Sequence, residues 1–115
     1  QAVGEAIRAW DSPERVVVLG TGGLSHQLEG ERAGFINKRF DLQFLDSMET
    51  NPEWATQFSE LDLVEKAGTQ GVETLMWLAV RGALTAGGSG VRKVHSNYHI
   101  PISNTATGVL ALETV

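Results

Sequence analysis

The chain has 115 residues, no cysteine and a net charge of −5, with 42% hydrophobic and 20% charged residues. This length and composition indicate one small globular domain. The lack of cysteine excludes disulfides, thiolate metal sites and cysteine nucleophiles, and it fits a cytoplasmic protein. No basic stripe supports nucleic-acid binding, and the longest apolar run is too short to span a membrane.

A helix and a buried strand are predicted at the start of the chain. Apolar residues at helical spacing indicate a helix over 3–10, which the Ser12-Pro13 region ends. Val16–Leu19 is a continuous apolar run, typical of a strand covered on both faces in an α/β sheet. The strand leads through glycines to His26, and catalytic groups gather at the carboxyl ends of such strands. His26 is therefore a candidate acid–base, because histidine takes and returns protons near neutral pH.

Other interpretations of the glycine-rich segment stay open. The segment from Gly20 begins like a dinucleotide-binding fingerprint, but Ser25 stands where the third glycine belongs. It also resembles a nucleophile elbow around Ser25, although Gln27 occupies the position of the final glycine. The remaining alternative is a structural histidine that only caps a loop.

Three further helical segments are predicted in the middle of the chain. Their spans are residues 35–48, 54–58 and 60–67. Asn51-Pro52 ends the first of them, because the residue before proline disfavours helix. Ser59 is the expected N-cap of the third, and Gly68 is expected to stop it.

Glu73 lies in the first turn of a helix predicted over residues 70–84. Apolar residues cover most of the circumference of this helix, which indicates burial within a larger fold. On a helical wheel Glu73 lies over Trp77, Val80 and Leu84, so its carboxylate leaves the backbone on an apolar side. It either favours the helix N-terminus through the macrodipole or binds a cation.

The last third of the chain predicts two strands joined by a polar loop. After a glycine-rich turn at 86–90, the strands cover 91–100 and 107–112, and the loop contains Ser103 and Asn104. His95 and His99 share one face of the first strand, but about 13 Å separates them along the axis, too far to share a metal ion. Each is expected to be a structural histidine.

Motifs along nearly the whole chain carry a resemblance to a known family. They are Gly20–Gln27, Arg32–Lys38, Gly71–Glu73, Met76–Leu78, Arg81–Leu84, Tyr98–Pro101 and Ser103–Ala106. In this order they closely resemble the catalytic subunits of class III extradiol dioxygenases, the family of protocatechuate 4,5-dioxygenase and gallate dioxygenase.

The resemblance implies the fold and the site. Residues 1–115 would be the C-terminal portion of a single α/β catalytic domain, a layered sheet with helices on both faces. The cofactor would be Fe(II), with Glu73 as a metal ligand and His26 as the catalytic acid–base. Ser103 and Asn104 would bind the substrate carboxylate. The two iron-binding histidines of the family lie in an N-terminal stretch that these residues do not contain.

The resemblance also implies a reaction and partners. The reaction is extradiol (meta) cleavage of a carboxylated catechol, such as protocatechuate or gallate, by dioxygen. The enzyme would be an oligomer, with a small helical subunit or the same unit as a fused domain. The alternative is a non-catalytic, partner-binding remnant of the same fold. A histidine-bearing strand end brought near Glu73 by another segment or chain would distinguish the enzyme from the remnant.

Overall fold

The structure is a computed structural model and describes residues 1–88 and 90–115. Ser89, in the predicted turn over 86–90, lies outside the described residues. The elements in chain order are α1 (Ala2–Ala9), α2 (Lys38–Thr50), α3 (Glu53–Thr56), α4 (Glu60–Ala67), a 3₁₀ turn (Gln70–Glu73), α5 (Thr74–Thr85), β1 (Val91–His99) and β2 (Thr107–Thr114). The class is mixed α/β, as predicted.

The strands β1 and β2 form an antiparallel hairpin. Their register runs from Val91 opposite Thr114 to His99 opposite Thr107, with an irregularity between Lys93 and His95. Both predicted strands are thus confirmed, and β2 extends two residues beyond the predicted end. The hairpin returns the chain past β1 and so places the loop between the strands at one end of the sheet.

The helix ends follow local capping chemistry. In α4, the Ser59 side chain accepts from the backbone N–H of Asp62, and Asp62 accepts from the backbone N–H of Ser59. Gly68 ends α4 with a φ of 87°, a left-handed value that favours glycine. α2 starts at Lys38, later than predicted, because the Asn37 side chain accepts from the Phe40 N–H and acts as N-cap.

The core forms around the apolar face of α2. Phe44 is 1% exposed, and its ring meets Trp77 of α5 edge to face at 6.1 Å between centroids. Phe40 packs in the same way against Phe58. The other buried apolar residues come from several elements and are Leu24, Leu45, Met48, Ala55, Leu63, Ala67 and Ala106. The core therefore joins the glycine-rich segment, three helices and the hairpin loop.

The prediction of an interior strand over Val16–Leu19 is wrong for the described chain. Val16 and Val18 are 44% and 37% exposed, whereas Val17 and Leu19 are 79% and 81% exposed. This alternation is typical of an extended segment with two unequal faces. A strand needs a neighbour to bond its backbone, and no described strand pairs with the segment. A groove of about 590 Å³, lined by both, separates it from β2.

The predicted helix over 70–84 is present as the 3₁₀ turn followed by α5. Most of its side chains are half-buried, Met76 is 51% exposed, and the glycine-rich segment approaches α5 at Gly20. Within the described chain, α5 is therefore not buried around its full circumference as predicted. Across residues 1–88 and 90–115, no helix has the length and apolar character needed to cross a membrane.

Candidate active site around His26 and Glu73

Backbone hydrogen bonds fix the segment that carries His26. Leu24 N–H donates to the Ala106 carbonyl, and Ala106 N–H donates to the Ser25 carbonyl, each at 3.2 Å. His26 N–H donates to the Ala67 carbonyl at 2.8 Å. The segment is thereby held between the end of α4 and the hairpin loop. His26 has little freedom to change its backbone position.

The hydrogen bond of the His26 ring defines which nitrogen is free. Nδ1 lies 2.7 Å from the carbonyl oxygen of Leu24. A carbonyl oxygen only accepts, so Nδ1 must carry the proton, and in the neutral ring Nε2 holds the lone pair. The residue is 6% exposed. Nε2 is therefore the atom that can take a proton from a ligand.

Two glycines lie between His26 and Glu73. A Cβ at Gly22 would lie 2.6 Å from the Glu73 Cβ, and a Cβ at Gly23 would lie 2.8 Å from the His26 Cε1. Gly22 also has a φ of 122°, which L side chains rarely adopt. The turn thus brings the backbone into contact with both candidate site residues, and neither position has room for a side chain.

Glu73 lies at the junction of the 3₁₀ turn and α5, one residue before the predicted helix becomes regular. Its Oε2 accepts from the backbone N–H of Gly23 at 2.8 Å, and the residue is exposed. Trp77, one helical turn after Glu73, donates from Nε1 to the Gly22 carbonyl at 3.1 Å. Glu73, just before α5, and Trp77, within it, thus both hold the Gly22–Gly23 turn. Glu73 and His26 therefore flank one glycine turn, and the carboxylate retains an oxygen that Gly23 does not use.

Ser103 and Asn104 lie in the turn between β1 and β2. Both are exposed, and Asn104 has a φ of 57°, a left-handed conformation that asparagine tolerates. The next residue, Thr105, forms an isolated β-bridge with His26. The hairpin turn thus brings a hydroxyl and an amide within two residues of the bridge to His26.

The sequence did not reveal a buried carboxylate, Asp41, that bonds Ser25, the residue before His26. Asp41 is 0% exposed and accepts from Ser25 N–H, Ser25 Oγ–H and Tyr98 O–H. Burial, and next the hydrogen bond to Asp41, raises the pKa of Tyr98 far above its usual range, so this phenol stays a donor. The sequence does contain one indication that Asp41 is buried: it lies on the apolar stripe of α2, four residues before Leu45.

The same contacts argue against the nucleophile-elbow interpretation. Ser25 is 0% exposed, and its Oγ donates to Asp41 and accepts from the Asn37 N–H. A serine nucleophile must instead reach its substrate and contact a general base. Ser25 therefore serves to hold the segment.

The described residues offer only part of a metal site. Within residues 1–88 and 90–115, no group of three or more histidine, aspartate or glutamate side chains could hold an ion. His95 and His99 are exposed on β1. The exposed carboxylate of Glu73 could supply one oxygen ligand to a hard cation. Other ligands of such an ion would have to come from outside these residues.

Comparison with known proteins identifies the family. Residues 1–108 match the family described as the catalytic LigB subunit of aromatic ring-opening dioxygenase. The chain is 37% identical over 113 residues to gallate dioxygenase of Pseudomonas putida, covering 98% of this chain and 32% of that protein. The chain thus spans about a third of the length of this curated relative. Because the family match covers nearly all of it, the chain belongs to the LigB family of aromatic ring-opening dioxygenases.

Proposed function

We propose that residues 1–115 are the C-terminal portion of a catalytic domain that opens the ring of a carboxylated catechol by extradiol cleavage with dioxygen. The observation that carries the proposal is the pairing of His26 and Glu73 across one glycine turn. A base with a free Nε2 and a carboxylate with one unused oxygen then both lie against the Gly22–Gly23 turn. Gallate and protocatechuate are the proposed substrates, since a relative covering this chain is a gallate dioxygenase.

Glu73 is the proposed ligand that this chain contributes to Fe(II). Its exposed carboxylate fits one anionic ligand, and two histidines from outside these residues would complete a set with open positions for substrate and dioxygen. When bound, Fe(II) would lower the pKa of the catechol hydroxyls, as it does that of water. The hydrogen bond from Gly23 to Oε2 fixes the carboxylate before any ion arrives.

His26 is the proposed acid–base. Its Nδ1 proton is committed to the Leu24 carbonyl, so Nε2 accepts the proton of the catechol hydroxyl and holds it. As the ring opens, the same Nε2 returns a proton to the product. At 6% exposure, the ring is shielded from bulk water, which limits loss of that proton to solvent.

Ser103 and Asn104 are the proposed binders of the substrate carboxylate. The hydroxyl and the amide N–H are donors that suit a carboxylate, and the β-bridge at Thr105 keeps this turn beside His26. A carboxylate held there would orient the ring with its hydroxyls toward His26. We also propose that a small helical subunit or fused domain closes the site. The proposed location of the enzyme is the cytoplasm.

The experiment is an iron measurement on the complete protein with Glu73→Gln. Glutamine keeps the length of the side chain and an oxygen that can accept from Gly23, but it removes the charge. We expect iron content and cleavage of gallate to fall steeply, with the melting temperature of the metal-free protein unchanged. Glu60→Gln is the matched control, because Glu60 is exposed on α4, and it should retain iron.

Two outcomes would contradict the proposal. Retained iron in Glu73→Gln would return Glu73 to the role of a charge at a helix N-terminus. A complete wild-type protein that binds no iron and leaves both gallate and protocatechuate unchanged would favour the non-catalytic, partner-binding remnant.

A further inference from the structure

Asp41 is a buried carboxylate whose partners are all neutral. Its Oδ1 accepts from Ser25 N–H at 2.8 Å, and its Oδ2 accepts from Ser25 Oγ–H and Tyr98 O–H, each at 2.6 Å. In the described part of the chain, the one ion pair joins Arg92 and Glu113, so Asp41 has no cationic partner there. Burying a charge in this way is unfavourable unless its hydrogen bonds are complete. A buried carboxylate with only neutral partners therefore calls for a role beyond packing.

The partner atoms of Asp41 and of His26 belong to one peptide group. The Ser25 N–H and the Leu24 C=O are the two ends of the same planar unit. Asp41 Oδ1 binds the N–H end at 2.8 Å, and His26 Nδ1 donates to the C=O end at 2.7 Å. Carboxylate, peptide and imidazole thus form a continuous chain of hydrogen bonds. In such a chain each bond polarises the next, and a negative charge at the N–H end makes the carbonyl oxygen a stronger acceptor.

We propose that Asp41 is a positioning residue for His26, acting through the Leu24–Ser25 peptide group. The carboxylate fixes the orientation of the peptide, and the peptide carbonyl keeps the imidazole proton on Nδ1. Nε2 is thereby left as the open acceptor. The catalytic consequence rests on the proposed function of His26, whereas the effect on the ring tautomer does not depend on turnover.

The rest of the site agrees with a positioning role. Asn37 N–H donates to Ser25 Oγ at 2.8 Å, which turns the hydroxyl proton toward Asp41. Asn37 also caps α2, so the start of the helix, Asp41 and Ser25 are held together. Removing the Asp41 carboxylate would take away the hydrogen bond at the N–H end of the Leu24–Ser25 peptide, whose C=O end bonds the His26 ring.

The test is Asp41→Asn in the complete enzyme. The amide oxygen can still accept from Ser25 N–H, and the amide N–H can donate to the hydroxyl of Ser25 or Tyr98, so the fold should persist. We expect kcat to fall about 10–100-fold, similar to the loss when the hydrogen-bond partner of a metal-ligating residue is removed, with KM unchanged. In metal-free protein labelled with ¹⁵N-histidine, NMR should show His26 changing from the Nδ1-protonated form to a mixture of tautomers.

Two control variants separate positioning from folding. Tyr98→Phe removes one donor to Asp41 but leaves the contact with Ser25 N–H, so it should lower the melting temperature and keep kcat and the tautomer. Asp46 lies on the exposed side of α2, the helix that carries Asp41, so Asp46→Asn should change neither kcat nor the His26 tautomer. An Asp41→Asn enzyme with wild-type tautomer and kcat would overturn the proposal, as would an equal loss of kcat in Tyr98→Phe. A wild-type enzyme without ring cleavage would overturn the proposed function, and the tautomer comparison would still decide the role of Asp41.

Discussion

Gly23→Ala tests how closely the glycine turn controls His26. The backbone tolerates alanine, because Gly23 is not among the residues with left-handed φ. The new Cβ would lie 2.8 Å from His26 Cε1 and 3.0 Å from Nδ1. The optimal separation of two non-bonded carbon atoms is about 3.5–4.0 Å, so the His26 ring must move by at least about 0.7 Å. A displacement of about 1 Å at a catalytic group can lower the rate about 10²-fold.

The assay is steady-state cleavage of gallate by the complete protein, followed by oxygen consumption, together with thermal unfolding. We expect kcat/KM to fall about 10²-fold, and overpacking to lower stability by about 1–3 kcal/mol. Gly82→Ala in α5 is the control, because its nearest neighbour would lie 3.5 Å away. It should keep activity and raise stability by about 0.5–1 kcal/mol, as alanine does in helix interiors. Full activity in Gly23→Ala would show that the position of the His26 ring does not depend on the space at Gly23.

Phe44→Ala and Ser59→Ala test the core packing and the helix capping that support the site. Phe44→Ala should lower the free energy of unfolding by about 3–5 kcal/mol in urea titrations, because Phe44 is 1% exposed at the centre of the core; a loss below about 1 kcal/mol would contradict this packing. Ser59→Ala removes the N-cap of α4 and should destabilise the protein by about 1 kcal/mol near neutral pH.

The backbone N–H and then the side chain of Ser59 lower the pKa of Asp62. A lowered folded-state pKa gives stability that is present above the unfolded-state pKa and is lost as pH falls through the folded-state value. The difference between Ser59→Ala and wild type should therefore shrink in acid, and a difference that grows there would contradict the capping box.

Local chemistry made most elements predictable from the sequence. Helix α4 has the predicted bounds, since Ser59 and Gly68 are strong start and stop signals. The two hairpin strands are also found where the sequence predicted them. In contrast, the start of α2 was placed too early because Phe35 and Ile36 extend the apolar pattern, while the capping hydrogen bond of Asn37 decides the boundary.

Tertiary contacts explain what the sequence did not reveal. An apolar run such as Val16–Leu19 signals a strand, but it cannot specify the neighbour that completes the sheet, and the described chain supplies none. The candidacy of His26 followed from its position after the glycines. The contact of Gly23 with Glu73 joins residues 50 positions apart, so no local pattern could reveal it. Asp41 was overlooked because a single acidic residue on a helix usually faces solvent.

The proposed acid–base role requires Nε2 of His26 to move the proton in ring opening. The most direct test compares gallate cleavage by the complete, Fe(II)-loaded protein with that of His26→Gln, a polar variant that cannot take a proton at neutral pH. We expect a loss in kcat of about 10²–10⁴-fold, the usual contribution of a general acid–base, with iron content and substrate binding retained. Full turnover in His26→Gln would contradict the acid–base role, and loss of iron would identify His26 as a metal ligand instead.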